Sequence, residues 1–239
     1  MTFLKYIVTG TGRCGTVYMA RVLTSLGVPC GHESIFNQDK PEIIERRVSG
    51  EYNPTMSECA GNHGWIHLKD LVADSSYMAV PYLNKFNLQD VPVIHVVRHP
   101  LLVISSFVKD LQYFQNIKKN PFNKKNWEQW IWFHCKSLSS VINPIERACL
   151  YLLEWNERIE SLSKNRPYYL HRAEDEFPDE FFKFLNIPVQ RDVIFRNKKI
   201  NTMRKREKDF LSDDIPEGDI KDRFLSMMDR YDYSKQVFL

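Results

Sequence analysis

A glycine-rich loop near the amino terminus constrains this chain more than any other feature. Leu4 to Thr9 is a short apolar run that reads as a buried strand. GTGRCGT follows from Gly10 to Thr16. Thr16 to Leu26 then reads as a helix, with Met19, Leu23 and Leu26 on one face and Gly27 as its stop. A loop that enters a helix presents backbone N–H groups without intrahelical partners and the positive end of the helix dipole, which makes an anion site.

The rest of the chain repeats the alternation. Val28 to Cys30 reads as a brief strand, Pro41 to Val48 as a helix, and Ser75 to Phe86 as a further helix. Val91 to Val97 is almost wholly apolar, as expected at the centre of a parallel sheet. Pro100 opens a helix to about Asp110. A polar, basic loop covers 117–125. A long helical stretch runs from Trp127 to Leu162 with a break at Pro144. Tyr168 to His171 is a strand, Phe177 to Leu185 a short helix, and Ile220 to Arg230 a last helix. Strands alternating with helices predict an α/β protein with a parallel sheet. The 239 residues suit one domain over residues 1–239.

Composition narrows the class of partner. A formal net charge of +3 is too small to argue for nucleic acid, although basic groups can gather in one cleft for a small polyanion. No run of about 18 apolar residues predicts a membrane span. Met1 to Thr9 reads as a strand and not as a secretion signal. The five cysteines lack CxxC spacing, which predicts reduced thiols, no zinc site and a cytoplasmic protein. His63 and His67 lie four apart without the glutamate or third ligand of a zinc signature, so no metal is expected.

Three readings compete for the loop. Gly10 and Gly15 have the GxxxxG spacing of a nucleoside-triphosphate loop, but Thr16 and Val17 stand where lysine and a magnesium-binding hydroxyl belong. Gly10, Gly12 and Gly15 also satisfy the dinucleotide fingerprint GxGxxG, with Glu33 near the position of a ribose-binding acid. That leaves an NAD(P)-type oxidoreductase as an alternative. In the third reading Arg13 supplies a permanent, forked cation to a phosphosulfate bridge. The N–H groups of Cys14, Gly15 and Thr16 would wrap a 5′-phosphate, helped by the Thr16 hydroxyl. A sulfuryl group carries less charge than a terminal phosphoryl group, so its transfer has less need of a metal.

The second motif is VIHVVRHPLLVISSF, Val93 to Phe107. Arg98 and His99 stand where a central strand ends and a helix begins, where ligands of open α/β sheets collect. Ser105 and Ser106 lie about two helical turns further on.

Together the two motifs resemble sulfotransferases that use 3′-phosphoadenosine 5′-phosphosulfate (PAPS). The resemblance implies a three-layer, P-loop-like α/β fold, with a central parallel sheet flanked by helices. It assigns the 5′-phosphosulfate to Gly12, Arg13, Cys14, Gly15 and Thr16, and the 3′-phosphate to Arg98 and Ser106, eight residues apart. Tyr18 stands where many members place a tryptophan near the adenine. CGHE, Cys30 to Glu33, resembles the segment that carries the base in tyrosylprotein and several bacterial members. KINTMRKR, Lys199 to Arg206, falls where members bring late basic residues to the 3′-phosphate. The cytosolic members' histidine segment is absent, so His32 and Glu33 both stand as candidate base, with Arg13 stabilising the leaving group. The implied product is 3′,5′-ADP. The acceptor is open among small molecule, carbohydrate, lipid and peptide. A non-catalytic nucleotide-binding protein is the alternative outside enzymes.

Overall fold

The computed structural model describes residues 3–37, 39–51, 71–110, 114, 127–192 and 212–233. Five strands form one sheet: β1 (Tyr6–Gly10), β2 (Cys30–His32), β3 (Ala73–Ser75), β4 (Val93–Val97) and β5 (Tyr168–Arg172). Their order is β2-β3-β1-β4-β5, and every pairing is parallel. The register sets Val8 beside Ser75 on one side and Ile94 on the other. From β1 the chain leaves to one side of the sheet for β2 and β3, and later returns to the other side for β4. The crevice beyond the carboxyl ends of β1 and β4 therefore lies at the point where the winding reverses.

Helices cover both faces. Alternation along the strands assigns the two cores, since successive side chains of a strand point to opposite faces. Ile7, Val93 and Val97 pack with one group of buried residues, and Val8, Ile94 and Val96 with another. The first group is completed by α3 (Pro100–Ser105), α5 (Pro144–Ser163) and α7 (Asp219–Arg230), and the second by α1 (Thr16–Ser25) and α6 (Asp179–Phe184). α2 (Pro41–Val48) and α4 (Trp127–His134) complete the described helices. The chain is thus a three-layer α/β protein, as its alternating pattern predicts. His95 is the core histidine that a buried strand implies: Nδ1 lies 2.7 Å from the Tyr168 hydroxyl and Nε2 2.9 Å from Asn156 Oδ1. Burial lowers its pKa to about 4.

Three expectations need correction. Ser75 to Phe86 does not form a helix; β3 ends at Ser75 and a 3-10 turn spans Tyr77–Tyr82. Pro81 inside that turn removes a helical donor, and the Ser76 side chain accepts from Met78 N. The second strand begins at Cys30, not at Val28, because Val28 N donates to the Leu23 carbonyl at the end of the preceding helix and Pro29 has no N–H for the ladder. The helix from Pro100 stays α-helical only to Ser105, and a π-helical turn runs Ser106–Asp110. The break at Pro144 is real: a 3-10 turn, Lys136–Ser140, separates α4 from α5, and Asn143 caps α5 by accepting from Ile145 N at 2.8 Å. The loop at 117–125, the basic segment 199–206, His63, His67 and Cys59 lie outside the described residues.

Candidate functional site

The loop after β1 is built by close approach. A Cβ on Gly10 would run into the Val96 carbonyl oxygen and would lie 2.6 Å from Cys14 Sγ. Only glycine lets β1 and β4 meet there. Gly15 is the N-cap of α1 with φ +113°, again a glycine conformation. Gly15, the N-cap, makes no side-chain cap hydrogen bond, and a helix's first-turn N–H groups lack intrahelical acceptors, which suits an anion. The Gly12 N–H donates to the Tyr151 hydroxyl at 3.1 Å, which ties the loop to α5. Cys14 is fully buried, and burial lifts its thiol to about 12. Its side chain is a packing group, and only its backbone can face a ligand.

The two motifs meet at the carboxyl ends of β1 and β4. Arg13, exposed and in the left-handed region at φ +69°, donates from Nε to Ser106 Oγ at 3.0 Å. Arg98 Nη1 donates to the Arg13 carbonyl at 3.2 Å. Residues more than eighty positions apart thus share one cluster. Between the two serines, it is Ser106 that meets Arg13. The Ser105 hydroxyl is buried with no hydrogen-bond partner among the described residues.

β2 brings the histidine–glutamate pair to the same edge. His32 closes the strand, its Nε2 lying 3.3 Å from Thr16 Oγ1 and 3.8 Å from Glu33 Oε1. The Ser75 hydroxyl donates to the Thr16 carbonyl at 2.8 Å, which fixes the start of α1 against β3. The His32 side chain is 6% exposed and that of Glu33 18%. Glu33 has φ +54°. Burial, then the charge of Asp74, lift its carboxyl to about 7. A carboxyl that titrates near neutrality at a strand end marks a candidate acid or base.

Of the residues singled out in the sequence, Gly12, Arg13, Cys14, Gly15, Thr16, Arg98, Ser106, His32 and Glu33 fall in this linked group. Tyr18 does not join the hydrogen-bonded cluster; it is buried on α1 with its ring 6.3 Å from Phe177. Trp130 packs against Tyr77 and Trp155, whereas Phe133 is exposed. Sequence reasoning missed Tyr151, Asp74 and Glu174. Glu174 accepts from His99 N at 2.9 Å and from the Tyr233 hydroxyl at 2.8 Å, and so holds the turn after Arg98. Asp74 directly precedes Ser75, where the sequence pattern predicts a helix to begin. The only signal was one acid among small residues at Ala73 to Ser76.

Among the described residues no group of three or more His, Cys, Asp or Glu is placed to hold a metal ion. No helix among them is long and apolar enough to cross a membrane. Fold and site together define a parallel-sheet α/β protein whose glycine loop, paired arginines and histidine–glutamate pair converge at the strand ends. No protein-family model matches the chain, and no curated protein matches it.

Proposed function

We propose that this protein is a sulfotransferase that moves a sulfuryl group from PAPS to an acceptor hydroxyl or amine. The observation that carries the reading is the cluster of Arg13, Arg98 and Ser106 beside the uncapped start of α1. A nucleotide with anionic groups at both 5′ and 3′ positions needs two adjoining cationic sites, and these residues supply them. The first-turn N–H groups of α1 and Arg13 suit the 5′ group; Arg98 and Ser106 suit the 3′ group. The strand order supports this reading over a dinucleotide fold. In the dinucleotide order 3-2-1-4-5-6 the second strand adjoins the first, which brings its terminal acid to the ribose. Here β3 separates β2 from β1, so Glu33 stands one strand further out.

The chemistry is an in-line displacement. The acceptor oxygen or nitrogen forms a bond to sulfur, and the bond from sulfur to the bridging oxygen of the 5′-phosphate breaks. The leaving 3′,5′-ADP takes the electron pair, and Arg13 with the α1 N–H groups stabilises the charge that develops on it. Glu33 takes the acceptor's proton. It is the more exposed member of the pair, and at about 7 its carboxyl matches the pH at which a base works. His32, held between Thr16 and Glu33, orients that carboxylate. The acceptor class stays open among small molecule, carbohydrate, lipid and peptide, and a cytoplasmic setting accords with buried free thiols at Cys14, Cys30, Cys135 and Cys149.

The test uses PAPS with radiolabelled sulfate and a panel of acceptors, alongside calorimetric titration with 3′,5′-ADP. Transfer of label, lost in Arg13→Ala, supports the reading. Failure to bind either nucleotide sinks it. Binding of 3′,5′-ADP with no acceptor ever labelled makes a nucleotide-binding protein the better account. Protection by NAD(H) instead returns the dinucleotide reading.

A further inference from the structure

The turn that carries Glu33 is gripped from the end of β3. Asp74 is fully buried, and its carboxylate accepts three consecutive backbone N–H groups. Ser34 N donates to Oδ1 at 3.1 Å, and Ile35 N and Phe36 N donate to Oδ2 at 3.2 and 3.0 Å. Its neighbours hold the same turn. Glu33 N donates to the Ser75 carbonyl at 3.3 Å, and the Ser76 hydroxyl donates to the Phe36 carbonyl at 2.8 Å. The fit leaves no room beneath it: a Cβ on Gly31 would lie 2.6 Å from both Asp74 Oδ1 and Ser34 Oγ. A turn bound this way keeps Glu33 in a left-handed backbone that a glutamate adopts only when its surroundings impose it.

We propose that Asp74 is the positioning residue for Glu33: its carboxylate fixes the turn at 33–36 and its charge acts on the Glu33 carboxyl. The catalytic importance of this arrangement rests on the reading of Glu33 as the base. The physical coupling of the two carboxyls does not. Asp74 touches neither nucleotide nor acceptor in this assignment; it acts through Glu33. The charged and titratable groups around the pair come from each neighbouring element. β2 supplies His32, 3.8 Å from Glu33. α2 supplies Arg47, which pairs with Asp39 at 2.7 Å and lowers the pKa of Asp74. Burial outweighs Arg47 and the three N–H groups, so Asp74 itself stands at about 6. Two acids of one sign, both raised, titrate in overlapping ranges, and the proton that leaves one raises the cost of ionising the other.

The experiment is a pH titration of the whole chain by NMR, with carboxyl carbons and backbone amides labelled. In the wild-type protein the amide protons of Ser34, Ile35 and Phe36 should move together between pH 5 and 7, because a carboxylate acceptor polarises its donors and its protonation removes that effect. The Glu33 carboxyl should show a midpoint near 7. In Asp74→Asn that midpoint should fall by about one pH unit, since one of its two raising causes is gone. The acid limb of any transferase activity should shift by the same amount, which a purely structural role would not produce. Should Asp74→Asn fail to fold, the wild-type amide titration still decides. Amides that stay still, or a Glu33 midpoint unchanged in Asp74→Asn, would overturn the proposal. Coupling seen without any transfer of sulfate would keep the electrostatic link, remove its catalytic meaning and count against the function proposed above.

Discussion

Arg13 carries two burdens at once. Its backbone sits at φ +69°, a region that costs a side-chain-bearing residue about 1 kcal/mol or more, while its guanidinium reaches Ser106. Replacement by glycine should therefore relieve the backbone and remove the cation. Arg13→Gly is expected to raise the melting temperature slightly and to weaken 3′,5′-ADP binding by about 30-fold or more, the scale of one lost charge-assisted contact. Calorimetry of both quantities on the same sample checks it, and a variant that loses stability and keeps binding would remove Arg13 from the site. Ser106→Ala should weaken the same ligand by about 5- to 10-fold, as for one neutral hydrogen bond, whereas Ser105→Ala should leave it unchanged. Glu33 gives a pH test with a definite sign. Its folded pKa of about 7 lies above that of an ordinary carboxyl, so the folded state holds a proton that the unfolded state has released. Folding stability from this group is present at low pH and is lost as pH rises from about 4.5 to 7. Glu33→Gln should leave stability near pH 4 unchanged and raise the melting temperature by several degrees at pH 8. A lower melting temperature at pH 8 would contradict the burial of that carboxyl.

At the scale of elements, the site depends on how closely β1 and β4 meet. Gly10→Ala would drive a methyl into the Val96 carbonyl oxygen and Cys14 Sγ, neither of which can yield cheaply. The expected cost is about 2–4 kcal/mol, the range for overpacking combined with backbone displacement. A denaturant titration of the variant measures it, and a loss well under 1 kcal/mol would show that the loop has room the geometry denies. The same elements show where sequence pattern works. β1, α1, α2, β4 and α5 follow their apolar spacing, their prolines at first turns and their glycine stops. β3 did not announce itself. Its three residues carry no period that a pattern can detect, and they are a strand only because β1 and β2 supply hydrogen bonds on both sides. Asp74, Ser75 and Ser76 were lost with it, so the supports of Glu33 and Thr16 were lost as well.

Across the whole molecule, buried ionisable groups oppose one another. Burial lowers His95, His134 and His171 to about 4, so each is neutral in the fold and takes a proton on unfolding. Stability from these histidines is present above about pH 6.5 and lost as pH falls toward 4. Glu33 and Asp74 work in the other direction over an overlapping range. The wild-type melting temperature should therefore change less between pH 6.5 and 4.5 than that of Glu33→Gln, in which one opposing acid is gone. Scanning calorimetry of the two proteins across that interval checks the difference, and equal slopes would refute it. The sequence by itself determined the alternation of strands and helices, the glycine loop that leads into a helix, and Arg13 and Arg98 as candidate partners for anions. Those follow from local chemistry: apolar periodicity, glycine conformations, and the forked charge of arginine. Only the tertiary structure decided the strand order, the contact of Arg13 with Ser106 rather than Ser105, and the raised acidity range of Glu33. Each of these is set by which distant segments become neighbours, and by how much water that packing removes from around a charge.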